Sequence, residues 1–195
     1  KLDQNRDLPE ATCSNTAIAG IWNNYHLSID SFISKIIAKY PLALFIDLHG
    51  HGHTKQRLEL GYLLSGNELR NPASIVPASS SMYNLMLQNT SLQINQLLTG
   101  PSAFGTLMAN WSIPSVPSQQ DPAPLVTDLY FDGGYNTQRY CSGAYPKVFG
   151  WQVEANFTGV RDNQNNRVNF AKVFLASIMQ FYSSNTSMQP STFGR

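Results

Sequence analysis

The spacing of apolar residues along the chain predicts two long amphipathic helices. Apolar residues recur every three or four positions across residues 17–40 and again across residues 166–183, as they do on the buried face of a helix. Residues 79–98 show a weaker helical pattern with a break near Asn89, and residues 101–111 predict a short helix opened by proline and serine. Helices therefore account for much of the predicted structure.

Three other segments have the pattern of strands. Residues 42–48, LALFIDL, are apolar at nearly every position, which is typical of a strand buried on both faces. Residues 58–66 predict a second strand, and residues 148–157 alternate apolar and polar side chains. Two segments rich in proline or glycine, 112–124 and 131–140, are predicted to be loops.

A helix that leads into a fully buried strand is typical of a parallel sheet covered by helices. We therefore predict an α/β protein, with a three-layer α/β/α arrangement around a mostly parallel mixed sheet. A chain of 195 residues with 42% apolar composition suits a single domain over residues 1–195. Its polar end, residues 183–195, is predicted to be a loose tail.

Charge and composition exclude some classes of partner. Charged residues make up only 13% of the chain and the net charge is +1. No basic patch suggests a nucleic-acid partner, and the longest apolar stretch, around Leu42–Ile46, is too short to span a membrane.

Two features favour a secreted protein. The chain has two cysteines, Cys13 and Cys141, which either pair in an oxidising compartment or are buried free thiols. It also has four N-x-Ser/Thr sequons, at Asn89, Asn110, Asn156 and Asn185. We expect at least two sequons to carry glycan in a secreted or lumenal glycoprotein. The sequon that directly follows a predicted strand, Asn156, is the least accessible.

The first candidate for chemistry is DLHGHGH, residues 47–53, which holds three of the four histidines. It follows a predicted strand, and ligands of open α/β sheets gather beyond the carboxyl ends of strands. Asp47 and His49 point to the same face, so Asp47 is placed to orient the ring of a metal-binding His49. The alternative is a solvated polar loop with one capping aspartate.

The second candidate is Glu154, the lone acid of WQVEANF. A buried carboxylate is costly unless it is paired or functional. In a central strand Glu154 would be a candidate general base, whereas in an edge strand it would face water. A third stretch places Asn5 beside Arg6, and the planar guanidinium of arginine suits a carboxylate.

Taken together, these stretches resemble the N-formylglutamate amidohydrolase family, which shares its broad fold with the zinc carboxypeptidases. The similarity covers most of residues 2–182, and its segments occur in the family's order. They are LDQNRDLPEA, WNNYH, LFIDLHGHG, GPSAFGTLM, IPSVPSQQDPAP, YFDGGYNTQRY and GWQVEANFTGVRD.

The resemblance implies zinc-assisted hydrolysis of an amide bond near a carboxylate, in a small-molecule or peptide substrate. His49 would bind zinc and Glu154 would be the general base or acid. Asn5 and Arg6 would hold the substrate carboxylate, and Arg139 would add a second positive contact. His51 and His53, which follow on a glycine-rich loop, would not need to bind anything.

The resemblance also places Cys13 and Cys141 near the rim of one cleft, and so implies a disulfide between them. The family's first two zinc ligands precede the Asn-Arg motif, and no counterpart precedes Asn5 here. We therefore expect a zinc-exopeptidase-like domain truncated at its N-terminal end, with an N-terminal fragment of the same precursor or further copies of itself as partners.

Two functions follow from these observations. The first is a secreted zinc-dependent amide hydrolase, or the C-terminal portion of one. The alternative is a non-catalytic, self-assembling extracellular glycoprotein on the same scaffold, because a fold alone does not determine function.

Overall fold

The computed structural model describes residues 2–186 and shows a mixed α/β protein built on one four-stranded sheet. The strands are β1 (Ala43–Gly50), β2 (Leu58–Gly61), β3 (Ser115–Val116) and β4 (Val148–Ala155), in the spatial order β1-β4-β2-β3. β1 pairs with β4 and β2 pairs with β3 in parallel, whereas β2 and β4 are antiparallel. The predicted α/β class and the mostly parallel mixed sheet are confirmed.

Helices surround this sheet, and the two longest correspond to the two long helices predicted from the sequence. The α-helices are α1 (Leu8–Thr12), α2 (Thr16–Lys39), α3 (Gly66–Arg70), α4 (Tyr83–Gln88), α5 (Ile94–Thr99), α6 (Phe104–Asn110), α7 (Tyr135–Tyr140) and α8 (Gln164–Asn185). Two 3₁₀ turns, Pro72–Ser74 and Pro77–Ser79, precede α4, and a π-type turn, Phe157–Arg161, precedes α8.

Local sequence explains where the long helices begin and end. The side chain of Asn15 accepts a hydrogen bond from the backbone of α2 at its first turn, and Asn163 does the same for α8. Such caps stabilise a helix by about 1 kcal/mol. Helix α2 ends at Lys39, because Tyr40 precedes Pro41 and the residue before a proline disfavours helical geometry.

The strand β4 lies inside the sheet, and all eight of its residues are buried. Phe149, Trp151 and Val153 belong to the larger apolar cluster, which also includes residues of α6 and α8. Val148 belongs to a smaller cluster with Ile33 of α2 and residues of α7. Successive residues of β4 therefore serve different sides of the sheet.

The prediction that β1 is buried on both faces is wrong. Within residues 2–186, β1 has a strand neighbour on one side only, and most of its residues are partly exposed. Leu48 is 56% exposed. In the apolar run of residues 42–48, only the first residues are buried, and the run does not indicate a strand in the centre of the sheet.

Three predicted boundaries also differ from the structure. The strand predicted for residues 58–66 ends at Gly61, because Leu63 adopts a left-handed conformation with φ of 62°. The predicted loop 112–124 contains the two-residue strand β3, which is too short to show a pattern. The second predicted loop, 131–140, becomes the six-residue helix α7 after Gly134.

The weaker helical region divides as predicted. α4 and α5 are separated near Asn89, where the side chain accepts hydrogen bonds from Ser91 and so favours a turn over a helix. The predicted tail begins later than expected, because α8 continues to Asn185. Residues 187–195 lie outside the described residues. No helix within residues 2–186 combines the length and apolar character that crossing a bilayer requires.

Candidate functional site

A cleft of about 580 Å³ opens at the carboxyl ends of β1 and β4. Its walls come from stretches that are far apart in sequence: residues 3–10, His49, residues 131–138, and Gln152 with Glu154. The cleft therefore forms only where the N-terminal segment, two strand ends and the start of α7 meet.

His49 and Glu154 are direct neighbours across β1 and β4, in a register that pairs Asp47 with Gln152 two residues earlier. On the other side of β4, Glu154 pairs with Glu59 of β2. Paired residues of adjacent strands project from the same face of a sheet. A histidine and two carboxylates therefore form a row across one face of the sheet.

The carboxylate of Glu154 is buried, with only 6% of the residue exposed. It accepts a hydrogen bond of 2.8 Å from Nε2 of Gln152. Burial raises the pKa of Glu154, while the nearby His49 and the Gln152 hydrogen bond lower it and Glu59 raises it. Glu154 lies in an interior strand and faces the cleft, as a general base requires.

Asp47 holds the imidazole of His49, with Oδ1 2.9 Å from Nε2. This hydrogen bond is the main cause that raises the pKa of His49, so the ring favours its protonated form. Nδ2 of Asn5 lies 3.3 Å from the same Nε2. When Nε2 donates its proton to Asp47 it cannot accept one from Asn5, so Asn5 is then only a neighbour.

Residues 4–6 are held in place by hydrogen bonds from α2 and α7. Nε1 of Trp22 donates to the carbonyl of Arg6 (2.9 Å), and Nε2 of His26 lies 3.2 Å from the carbonyl of Gln4. Oδ1 of Asn5 accepts from the backbone of Asn136 at 2.7 Å. Three separate contacts therefore fix this segment against the cleft.

Gly134 allows the N-terminal segment to approach α7 closely. A Cβ at this position would lie 2.5 Å from Nδ2 of Asn5 and 2.7 Å from Oε1 of Gln152. A side chain here would force the side chains of Asn5 and Gln152 to move. The glycine before α7 therefore permits the contact between opposite walls of the cleft.

Arg6 lines the cleft but is already paired. Its guanidinium contacts Asp3 at 3.1 Å and Glu10 at 3.3 Å, and its side chain is 57% exposed. These two carboxylates raise the pKa of Arg6. They engage Nε and Nη1 of the guanidinium that the resemblance assigns to a substrate carboxylate.

Arg139 lies outside the cleft wall, contrary to the expected role in substrate contact. It projects from the last turn of α7 towards α2, where it pairs with Asp30 at 3.2 Å. Its guanidinium also lies over the rings of Trp22 and Tyr140, at 5.7 and 5.4 Å from their centroids. The short helix α7, which the sequence pattern did not predict, accounts for this direction.

The metal-competent residues are also not those expected. Among the described residues, only His51, His53 and Glu59 form a group of three whose ligand atoms lie within 4.8 Å of one another. His49 belongs to no such group, and a catalytic zinc usually needs three protein ligands. The residues around His49 therefore do not fit a zinc ion by themselves. The possible metal group instead includes His51 and His53, to which the resemblance assigns no necessary role.

The histidines of this group already have partners. Nε2 of His51 lies 2.8 Å from the carbonyl of Arg57, and its Nδ1 accepts from the backbone of His53 at 3.0 Å. The buried Glu59 contacts Nδ1 of His53 at 2.8 Å and accepts from the backbone of Phe131 at 2.9 Å. A metal ion could bind here only if it replaced a hydrogen bond of His51 and the contact between His53 and Glu59.

Two residues of the site were missed in the sequence. Glu59 is a lone acid in the apolar run LELGYLL, which is the same signal that identified Glu154. Gln152 lies two positions before Glu154, so strand alternation places both on one face. Both could have been found by applying the reasoning used for Glu154 to every polar residue of the strands.

The predicted disulfide is not formed, since both thiols are free within the described residues. Cys13 is exposed at the left-handed end of α1. Cys141 is buried in the apolar cluster beside Tyr140, and burial raises the pKa of its thiol. One thiol therefore faces solvent while the other packs in the interior.

The four sequons differ in accessibility. Asn110 is exposed and Asn89 is partly exposed. Asn156 and Asn185 are each only 3% exposed, and their Nδ2 atoms donate to backbone carbonyls. Low accessibility was predicted for Asn156 but not for Asn185, because the sequence gave no sign that α8 extends to it.

Comparison of the chain with protein-family models, curated proteins and solved structures finds no match.

Proposed function

We propose that the cleft is the active site of a hydrolase that cleaves the C–N bond of an amide. The observation that carries this proposal is the buried carboxylate of Glu154 beside His49, at the strand ends that open into the cleft. Buried acids with raised pKa values in clefts are characteristic of general acid–base sites.

The reaction needs one water molecule and the two side chains. Glu154 takes a proton from water as the oxygen attacks the amide carbonyl, which forms a tetrahedral intermediate. Protonated His49 stabilises the negative oxygen, and the hydrogen bond with Asp47 favours this protonated form by raising the pKa of His49. Glu154 then gives its proton to the nitrogen, the C–N bond breaks, and a carboxylic acid and an amine are released.

The proposal also covers the family of the domain, the arrangement of its layers and its secretion. The order of seven sequence segments supports a domain of the N-formylglutamate amidohydrolase type. A three-layer, zinc-exopeptidase-like arrangement is supported by β4, where Val148 packs with α2 and α7 while Phe149, Trp151 and Val153 pack with α6 and α8. A secreted glycoprotein is supported by the exposed sequon at Asn110. No catalytic step is assigned to zinc, because the residues around His49 do not form a ligand set.

The test is release of free amine from N-formyl and N-acyl amino acids by purified protein. Glu154→Gln should abolish turnover because it removes the proton acceptor. Glu68→Gln is a matched control, because glutamine preserves the capping box of Glu68 with Ser65 outside the cleft. Equal turnover of the Glu154→Gln variant and the native protein would refute the proposal.

A second function, self-association, is favoured by one observation on α2. Four exposed apolar residues lie along one side of this helix: Ile21, Tyr25, Phe32 and Ile36. Their spacing of four, seven and four positions reads the same in both directions. Two copies paired antiparallel about a two-fold axis would therefore match the row to itself.

Sedimentation measurements test this alternative. Phe32→Ser should convert a dimer to a monomer, because Phe32 is 65% exposed within the row. Leu27→Ser is the matched control, since Leu27 is 62% exposed on the opposite side of α2. A native protein that remains monomeric at high concentration would eliminate self-association through this row.

A further inference from the structure

The charges that line the cleft are mainly negative. Asp3, Asp7, Glu10 and Glu154 contribute carboxylates, and the basic side chains of the lining are Arg6 and His49. Asp3 and Glu10 already neutralise the positive charge of Arg6. A substrate carboxylate that entered this cleft would meet uncompensated negative charge.

Gln152, the most buried polar residue of the cleft wall, has an acceptor oxygen without a hydrogen-bond donor. Gln152 is only 4% exposed, and its Nε2 is committed to Glu154. Within residues 2–186, its buried Oε1 has no hydrogen-bond partner. A buried acceptor without a donor is destabilising, so this oxygen is suited to an N–H group of a ligand.

A second chamber of about 440 Å³ adjoins the cleft, because Leu63 and Gln138 line both. Among the residues that line this chamber, Asp132 is the only aspartate, glutamate, lysine, arginine or histidine. Among the described residues, no lysine, arginine or histidine forms an ion pair with Asp132. Much of Asp132 stays accessible from solvent. Its partly desolvated surroundings and the charge of Glu68 raise the pKa of its carboxyl, and a bound cation would lower that pKa.

We propose that the substrate is a cationic amide whose ammonium or guanidinium group enters the chamber at Asp132 while an N–H group donates to Oε1 of Gln152. This inference rests on the proposed hydrolase function and replaces the carboxylate-bearing substrate that the resemblance implies. The amide bond then lies in the adjoining cleft, where Glu154 and His49 face it.

The first experiment compares the α-amides of N-acyl lysine, glutamine and glutamate, which share the same acyl group and carry no charge outside the side chain. We expect kcat/KM to be about tenfold higher for lysine than for glutamine, because one charged contact contributes on the order of 1.4 kcal/mol. The glutamate derivative should be the poorest substrate.

Two variants test the role of Asp132. Asp132→Asn should bring the ratio of kcat/KM for the lysine and glutamine derivatives close to one. Asp162→Asn changes an exposed acid beside α8 and should leave this ratio unchanged. Preference for the glutamate derivative would overturn the inference and leave the hydrolase proposal standing.

The second experiment measures binding without chemistry. Agmatine carries an amine and a guanidinium but no amide bond, and glutarate is a dicarboxylate of similar length. In calorimetry at low salt, agmatine should bind the native protein, and Asp132→Asn should weaken this binding about tenfold. Agmatine binding by a protein that hydrolyses no amide would refute the hydrolase and retain the cation site. Tighter binding of glutarate, or agmatine binding unaffected by Asp132→Asn, would refute the cation site itself.

Discussion

Glu154 and Glu59 are direct partners across the antiparallel strands β4 and β2, and both side chains are buried. The carboxylate of Glu59 disfavours ionisation of Glu154. His49 lies on the opposite side of Glu154 and has the contrary effect. Burial is the main cause of the raised pKa of Glu154, and its two neighbours in the sheet shift this balance in opposite directions.

This balance predicts that Glu154→Gln stabilises the protein while it abolishes activity. The folded-state pKa of Glu154 is raised, so the folding free energy becomes less favourable as pH rises through that value. Glutamine removes this cost and should stabilise the fold at neutral pH by about 1 kcal/mol, the size common for stabilising substitutions. Urea unfolding at several pH values measures the difference, which should disappear at low pH where Glu154 is protonated. A destabilised variant at neutral pH would show that the carboxylate is well accommodated.

The same residues predict a bell-shaped dependence of kcat/KM on pH. Glu154 must be ionised, and its raised pKa places the acidic limb above the ordinary value of 4.5. His49 must be protonated, and Asp47 places the alkaline limb above the ordinary value of 6.5. His49→Gln should retain the acidic limb and lose the alkaline one. An alkaline limb that persists in this variant would assign it to another group.

Anchoring of the N-terminal segment predicts an effect of Trp22 on catalysis. Trp22→Phe removes the donor to the carbonyl of Arg6, a loss of about 1 kcal/mol. If the anchored segment shapes the cleft, kcat/KM should fall about fivefold. Trp111→Phe is the matched control, because Trp111 is 60% exposed. Equal kinetics for the two variants would show that the segment holds its position without Trp22.

Added zinc should bind at His51, His53 and Glu59 rather than at His49. Calorimetric titration should show that His53→Ala abolishes binding and that His49→Ala preserves it. Binding should weaken as pH falls, because zinc requires neutral histidines. Loss of zinc in His49→Ala with retention in His53→Ala would restore the ligand implied by the resemblance.

The accessibility of the sequons predicts a definite glycosylation pattern in a secretory host. Asn110 and Asn89 should carry glycan, whereas Asn156 and Asn185 should not, because their amide nitrogens are buried and hydrogen-bonded. Peptide mapping before and after glycosidase treatment identifies the occupied sites, and Asn110→Gln should remove one glycan mass. Glycan on Asn185 would require the end of α8 to open before modification.

The long helices and the strand around Glu154 could be predicted because each shows its own periodicity over many residues. α7 and β3 could not, since six and two residues are too few to display a period. The position of β1 at the edge of the sheet could not be predicted from the sequence pattern either. An apolar run reports how well a strand packs against helices, but it does not report how many strands flank it.

The candidate site was predictable only in part. Strand alternation placed Asp47 with His49 and singled out Glu154, because those relations are local. The direction of Arg139 and the neutralisation of Arg6 depend on tertiary contacts with Asp30, Asp3 and Glu10. Identical side chains can therefore bind a substrate or be occupied internally, and sequence spacing does not distinguish the two.

The contact of Asn5 with Gly134 and Asn136 has a consequence for refolding experiments. More than a hundred residues separate the two walls of the cleft, and such non-local contacts close late and slowly because the intervening loop loses entropy. A partly collapsed chain, even one with α2 and α8 formed, would have no cleft. Recovery of agmatine binding after dilution from denaturant should then lag behind the recovery of helical circular dichroism, so that ligand binding times the last step of folding.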